Sequence, residues 1–119
     1  MTTTLYGIPN CNQVKNARDW LTDHHIPYVF HDFKKQGVTR ALIQTWLDDV
    51  SLETLLNRQG TTWRSLSDDM KNSVNDTESS ILLMLSSPTV IKRPVLHHQG
   101  HTMVGFSDER YQTIFHAHS

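Results

Sequence analysis

Residues 3–33 run through a β-branched segment, a turn, an amphipathic stretch and a second β-branched segment, an order that leaves few folds open. Residues 3–8 are short, β-branched and aromatic, and they end at Pro9, the pattern of a strand running into a turn. Asn10 stands where it would cap a helix beginning at Cys11 or Asn12. Val14, Ala17, Trp20 and Leu21 recur at helical spacing, while Lys15, Asn16, Arg18 and Asp19 cover the outer faces. His24-His25 closes that helix before Ile26-Pro27, and residues 28–33 alternate as a second strand does. The spacing predicts a parallel strand pair joined by a right-handed helical crossover.

Lys34-Lys35-Gln36-Gly37 reads as a turn. Thr39 caps a predicted helix through Val50, with Leu42, Ile43, Trp46 and Leu47 on one face. A shorter helix is predicted over residues 52–57, a polar loop over 58–62, and a further helix over 77–86. Val90-Ile91 and Val95-Leu96 are extended on either side of Lys92-Arg93-Pro94. Gln99-Gly100 then turns into a strand over residues 102–106, and Ser107 caps a last helix to about residue 116. The whole reads as α/β: a mixed four-stranded sheet with helices on both faces, in a single domain over residues 1–119. A helical insertion fills about 38–86. This is the layout of the thioredoxin-like fold.

Charge narrows the range of partners. The chain has 11 basic and 12 acidic side chains, a formal charge of −1, and offers no broad electrostatic capture of nucleic acid or an anionic membrane. No apolar stretch approaches the ~20 residues that span a bilayer. The opening residues have no signal-peptide character. A single cysteine cannot form an internal disulfide, which fits a cytoplasmic, reducing setting, and the chain is expected to be a monomer. His97, His98 and His101 fall on alternating strand faces, so no metal site is expected. Asp48-Asp49 and Asp68-Asp69 read as solvated helix ends. Trp20, Trp46, Met84 and Leu85 read as core.

Cys11 is the candidate reactive group. A cysteine after a strand and turn, in the first turn of a helix, meets unpaired N–H groups and the positive end of the helix dipole. Lys15 follows four residues on, and both features favour the thiolate, the nucleophilic form. The alternative is a small buried hydrophobe. Val14 stands three residues after Cys11, so any redox cycle is monothiolic and an external thiol must resolve it; glutathione is the natural small one.

Arg93-Pro94 lies between two strands, where a cis X-Pro bond is accommodated. Arg93 could aim its guanidinium fork at an anion near Cys11. Arg58 and Arg64, flanking Gly60-Thr61-Thr62, could serve the same anion.

Several stretches taken in order carry a resemblance. They are Tyr6-Gly7-Ile8-Pro9-Asn10-Cys11, Lys15-Asn16-Ala17, Leu55-Leu56-Asn57-Arg58, Gly60-Thr61-Thr62-Trp63-Arg64, Ile91-Lys92-Arg93-Pro94 and Gly105-Phe106-Ser107. Together they resemble the arsenate-reductase-like ArsC/Spx family, and within it the small proteobacterial YffB subgroup, over about residues 3–116. The resemblance implies a thioredoxin-like core, a nucleophilic Cys11, and anion binding by Lys15, Arg58 and Arg93. In the family's fold the proline at position 94 faces the cysteine. Arg58 is offset by one place from its counterpart in the glutathione- and glutaredoxin-coupled arsenate reductases. Those reductases carry a His where Gly7 stands and a third arginine where Phe106 stands. The Spx regulators use a Cys-x-x-Cys switch that Val14 interrupts. The implied function is a glutathione-dependent monothiol oxidoreductase, with no bound cofactor, glutathione as co-substrate, glutaredoxin as a candidate partner and arsenate disfavoured. The alternative is a non-catalytic, Spx-like module that binds a protein such as RNA polymerase and does not touch nucleic acid directly.

Overall fold

A computed structural model describes residues 3–116. Strand β1 (Thr3–Gly7) leads through a turn into helix α1 (Asn12–Asp23), and strand β2 (Val29–Asp32) returns parallel to β1 with Gly7 beside Asp32. The parallel pair joined through a helix is therefore as the opening spacing predicts. After the insertion, β3 (Val95–His98) and β4 (His101–Val104) form a hairpin, and β3 pairs antiparallel with β1. The sheet order is β2-β1-β3-β4, with Tyr6, Val95 and Val104 in one row across it. Helix α8 (Asp108–His116) follows β4.

Alternation along the strands separates two cores. Leu5 and Leu96 turn to one face, where Val14, Ala17, Trp20 and Leu21 of α1 and Tyr111 of α8 cover them. Trp20 meets Tyr111 edge-on at 5.5 Å, and its indole N–H donates to the Asp108 carboxylate, locking α8 against α1. Tyr6, Val95 and Val104 turn to the other face, against the insertion. This four-stranded sheet between helical layers is the thioredoxin-like fold.

Between β2 and β3 the chain forms α2 (Phe33–Gln36), α3 (Arg40–Leu47), α4 (Leu52–Leu55), α5 (Thr61–Arg64), α6 (Asp68–Ser73), α7 (Thr77–Ser86) and a 3-10 turn (Pro88–Val90). Ile43 and Trp46 of α3 and Ile81 and Met84 of α7 fill the second core. Thr39 caps α3 as its sequence predicts, its hydroxyl accepting from the Leu42 N–H at 3.2 Å. An Asp76–Ser79 capping box starts α7, and those hydrogen bonds, with the Ser79 hydroxyl first, hold the Asp76 carboxyl below its usual range. An exposed 2.8 Å ion pair, Arg40–Glu78, joins α3 to α7. Asp49 accepts from the Thr102 N–H at 2.8 Å, tying the insertion to edge strand β4.

Four local expectations give way to the structure. Asn10 does not cap α1: the N-cap is Cys11, with an extended backbone at φ −103° and ψ 128°, and Asn10 lies exposed in the turn. Residues 34–37 are not a simple turn, because the Asp32 carboxylate accepts from the Lys34 N–H at 2.8 Å and starts α2 at Phe33, cutting β2 short. The helix expected over 52–57 stops at Leu55, because Leu56 leaves it to bridge Ile91. The loop expected at 58–62 closes into α5, and the unforeseen α6 is capped by Ser67.

Gly7 fixes how closely β1 approaches α1. A Cβ at Gly7 would lie 2.6 Å from Cγ2 of the fully buried Val14, inside any normal contact. We predict that Gly7→Ala lowers stability by about 1–3 kcal/mol through overpacking. In the Gly7→Ala/Val14→Ala double variant the losses should fall short of the sum of the single losses. Urea unfolding of the three variants measures this coupling, and additive losses would contradict it.

Candidate functional site

The site is the end of the sheet to which β1 delivers the chain. Tyr6, Val95 and Val104 form the last row paired across β1, β3 and β4, and one step further the Gly105 N–H donates to the Pro94 carbonyl at 2.9 Å. Gly7, Pro94 and Gly105 therefore continue across the sheet end, and Cys11 follows Gly7 after a short turn.

Cys11 is half-buried and packs against both cores, at the seam between α1 and the insertion. Its carbonyl accepts the Lys15 N–H at 2.9 Å, the first hydrogen bond of α1. No side chain caps this helix, and no acidic residue stands in its first turn. The thiol thus occupies the position where helices usually place an oxygen acceptor, beside N–H groups and the positive dipole end.

The other sequence-predicted residues are spread more widely. Pro94 is buried at the start of β3, its bond to Arg93 is cis, and Arg93 is half-buried at the same end of the sheet as Cys11. The segment carrying Arg93 is held by the Lys92 N–H donating to Leu55 O at 2.8 Å and by the Asn57 N–H donating to Val90 O at 2.9 Å. Lys15 begins one turn after Cys11, but its ammonium lies 3.6 Å from the Asp19 carboxylate and both side chains are largely exposed. It lines a shallow groove of about 340 Å³ with Pro9, Arg18 and Tyr28. Arg58 stacks over the Trp63 ring, 5.1 Å from its centre, in a groove of about 310 Å³ that also holds Glu53 and Asp76. No residue of the Cys11 turn lines that groove. Arg64 ends α5 and is exposed. Of the basic residues expected to serve one anion, then, Arg93 shares the cysteine's end of the sheet, and Arg58 engages groups of the insertion.

Gly7 and Phe106 have structural reasons for their identities. A side chain at Gly7 would strike Val14, and the Phe106 ring packs edge-on against Tyr111 at 4.8 Å. Tyr111 is fully buried, and burial pushes its phenol well above the usual range. His97 and His98, which the sequence could have read as metal ligands, instead meet hydroxyls: His97 Nδ1 lies 3.0 Å from Thr102 Oγ1, and His98 Nδ1 lies 2.7 Å from Thr3 Oγ1.

Sequence reading passed over Lys92 and Arg110. Each reads as an ordinary solvated charge, and what singles them out is that both converge on Gly105.

Together these features define a thioredoxin-like protein with one thiol at the mouth of its first helix. The chain belongs to the ArsC family, which it matches over residues 6–114. A solved structure of a YffB protein superposes with a TM-score of 0.89 at 43% identity, covering 94% of this chain and 97% of that one. An arsenate reductase (ArsC) related protein from Brucella melitensis is 46% identical, with a TM-score of 0.74 and coverage of 97% and 95%. The global transcriptional regulator Spx 1 of Lactococcus lactis is 25% identical over 113 residues, 92% of this chain and 86% of the regulator. The chain is thus similar both to arsenate-reductase-related proteins and to regulators.

If a His at position 7 and a cation at position 106 matter for arsenate chemistry, this protein should turn arsenate over slowly. A coupled assay with glutathione, glutaredoxin and arsenate should give little above background, and turnover matching a dedicated arsenate reductase would contradict that expectation.

Proposed function

We propose that the protein is a glutathione-dependent monothiol reductase acting on oxidised sulfur. The observation that carries this reading is Cys11 at an N-cap without side-chain capping or first-turn acid, in a fold whose only cysteine it is. The Cys11 thiolate attacks the glutathionyl sulfur of a mixed disulfide, R–S–S–G. A Cys11–S–S–G bond forms, and the thiolate R–S⁻ leaves to take a proton. A second glutathione thiolate then attacks the glutathionyl sulfur on Cys11. Oxidised glutathione departs and Cys11 returns as the thiolate. One substrate disulfide is reduced as glutathione is oxidised, and no second protein cysteine is required. Arg93 holds an anionic group of the incoming thiol by charge-assisted hydrogen bonds. Glutaredoxin is a candidate partner for the resolving step, and the cytoplasm with its glutathione pool is the natural setting.

A second reading, a module that binds a protein partner, draws on the likeness to the Spx regulator. On that reading Cys11 is incidental. Incubation with oxidised glutathione at neutral pH, followed by intact-protein mass spectrometry, separates the two. The reductase reading expects one glutathionyl adduct, lost in Cys11→Ser. An unmodified folded protein whose unfolded chain reacts would favour the binding module.

Arg93→Lys keeps the charge and loses the planar fork. We expect it to retain the fold by circular dichroism and to weaken glutathione binding by about 1–3 kcal/mol, the scale of hydrogen bonds to charged groups. Equal affinities by calorimetry would reduce Arg93 to a surface charge.

A further inference from the structure

Gly105 ends the row formed by Gly7 and Pro94, and two cations close over it. A Cβ built there, on a backbone with φ +76°, would lie 3.6 Å from Cε of Lys92 and 3.8 Å from an Nη of Arg110. Lys92 arrives from the segment before β3, and Arg110 from the first turn of α8, so two elements distant in sequence bring exposed like charges over one buried glycine. Arg110 is also anchored: its Nη1 donates to the Val104 carbonyl at 3.1 Å, and its own N–H donates to the Ser107 hydroxyl at 3.0 Å. One N–H of the guanidinium is thereby occupied, and the others are pre-oriented, which reduces the entropy lost when they bind.

Asp108 and Glu109 satisfy the dipole of the first turn of α8, so the cost lies in the pair itself: two cations over one glycine repel each other. Local choices that conflict with stability concentrate at functional sites. Neither cation has a carboxylate partner among the described residues. Asp32, at the same end of the sheet, accepts from the Lys34 N–H, and Asp108 accepts from the Trp20 indole.

We propose that Lys92 and Arg110 form a carboxylate-binding pair over Gly105 that holds one end of the peptide thiol reacting at Cys11. This rests on the reading of Cys11 as a glutathione-reactive thiol. Length supports a peptide over a small oxyanion. Gly105 lies two strands across from Gly7, about 10 Å at the usual strand spacing, and the γ-glutamyl arm of glutathione, from the cysteine sulfur to its α-carboxylate, reaches about that far when extended. A small oxyanion on the Cys11 sulfur would not reach so far.

S-methylglutathione, which binds without reacting, is the probe. Its titration is followed by the amide resonance of Gly105 in the full-length protein, in Lys92→Gln and in Arg110→Gln, with inorganic sulfate as a second probe and thermal unfolding as the folding control. Each variant should bind the peptide roughly ten- to hundredfold more weakly, as expected for losing one hydrogen bond to a charged group. Added salt should weaken binding to the parent more than to either variant. Sulfate should bind far more weakly than the peptide. A purely structural Arg110 would lower the melting temperature and leave affinity and salt dependence unchanged; Lys92→Gln tests the same pair without touching the Val104 contact. Undiminished peptide affinity in both variants would overturn the pairing while leaving the reductase reading intact. Sulfate binding as tight as the peptide would overturn the assignment to a peptide thiol. A parent that binds no S-methylglutathione and takes no adduct at Cys11 would end both.

Discussion

The contact between Gly7 and Val14 sets the geometry on which the candidate site depends. With no side chain at position 7, the last residue of β1 seats against the first buried residue of α1, and the turn between them must be tight. That tightness makes Cys11 the N-cap, at the seam of both cores. A larger residue at position 7 would push the helix away and take the thiol with it. The same packing that buries Val14 therefore also selects where the Cys11 thiol stands.

The insertion is built separately but fastened at the site. Its core of Ile43, Trp46, Ile81 and Met84 covers the second face of the sheet, and its chain returns through the Leu56–Ile91 bridge immediately before Arg93. This bridge aligns the cysteine's end of the sheet with the insertion. It also carries Arg58 toward Trp63 and the acidic groove. The basic residues thus divide by element: Arg93, Lys92 and Arg110 belong to the sheet end, and Arg58 to the helical layer.

What could be read in sequence was local and strongly patterned. The β-α-β opening, the Thr39 cap, the Gln99-Gly100 hairpin and the cis bond before Pro94 are signals contained in a few adjacent residues, and the structure has each of them. What failed depended on distant partners. Leu55 ends its helix because Ile91, far along the chain, offers Leu56 a bridge. Asn10 is a good capping residue by composition, but the close seating of Gly7 moves the cap to Cys11. The meeting of Lys92 with Arg110 depends on strand register and has no sequence spacing of its own. Lys15 was placed correctly on its helix, yet its ammonium turns along the helix to Asp19, a choice that spacing alone leaves open.

The central claim is that the fold makes Cys11 reactive. The rate of its alkylation by iodoacetamide at pH 7, compared between the folded protein and the chain unfolded in urea, tests this most directly. The account predicts faster alkylation in the folded state, because the thiol stands at the N-cap of α1 with no side chain or first-turn acid competing for the helix N–H groups. A folded protein that reacts no faster than its unfolded chain would contradict it.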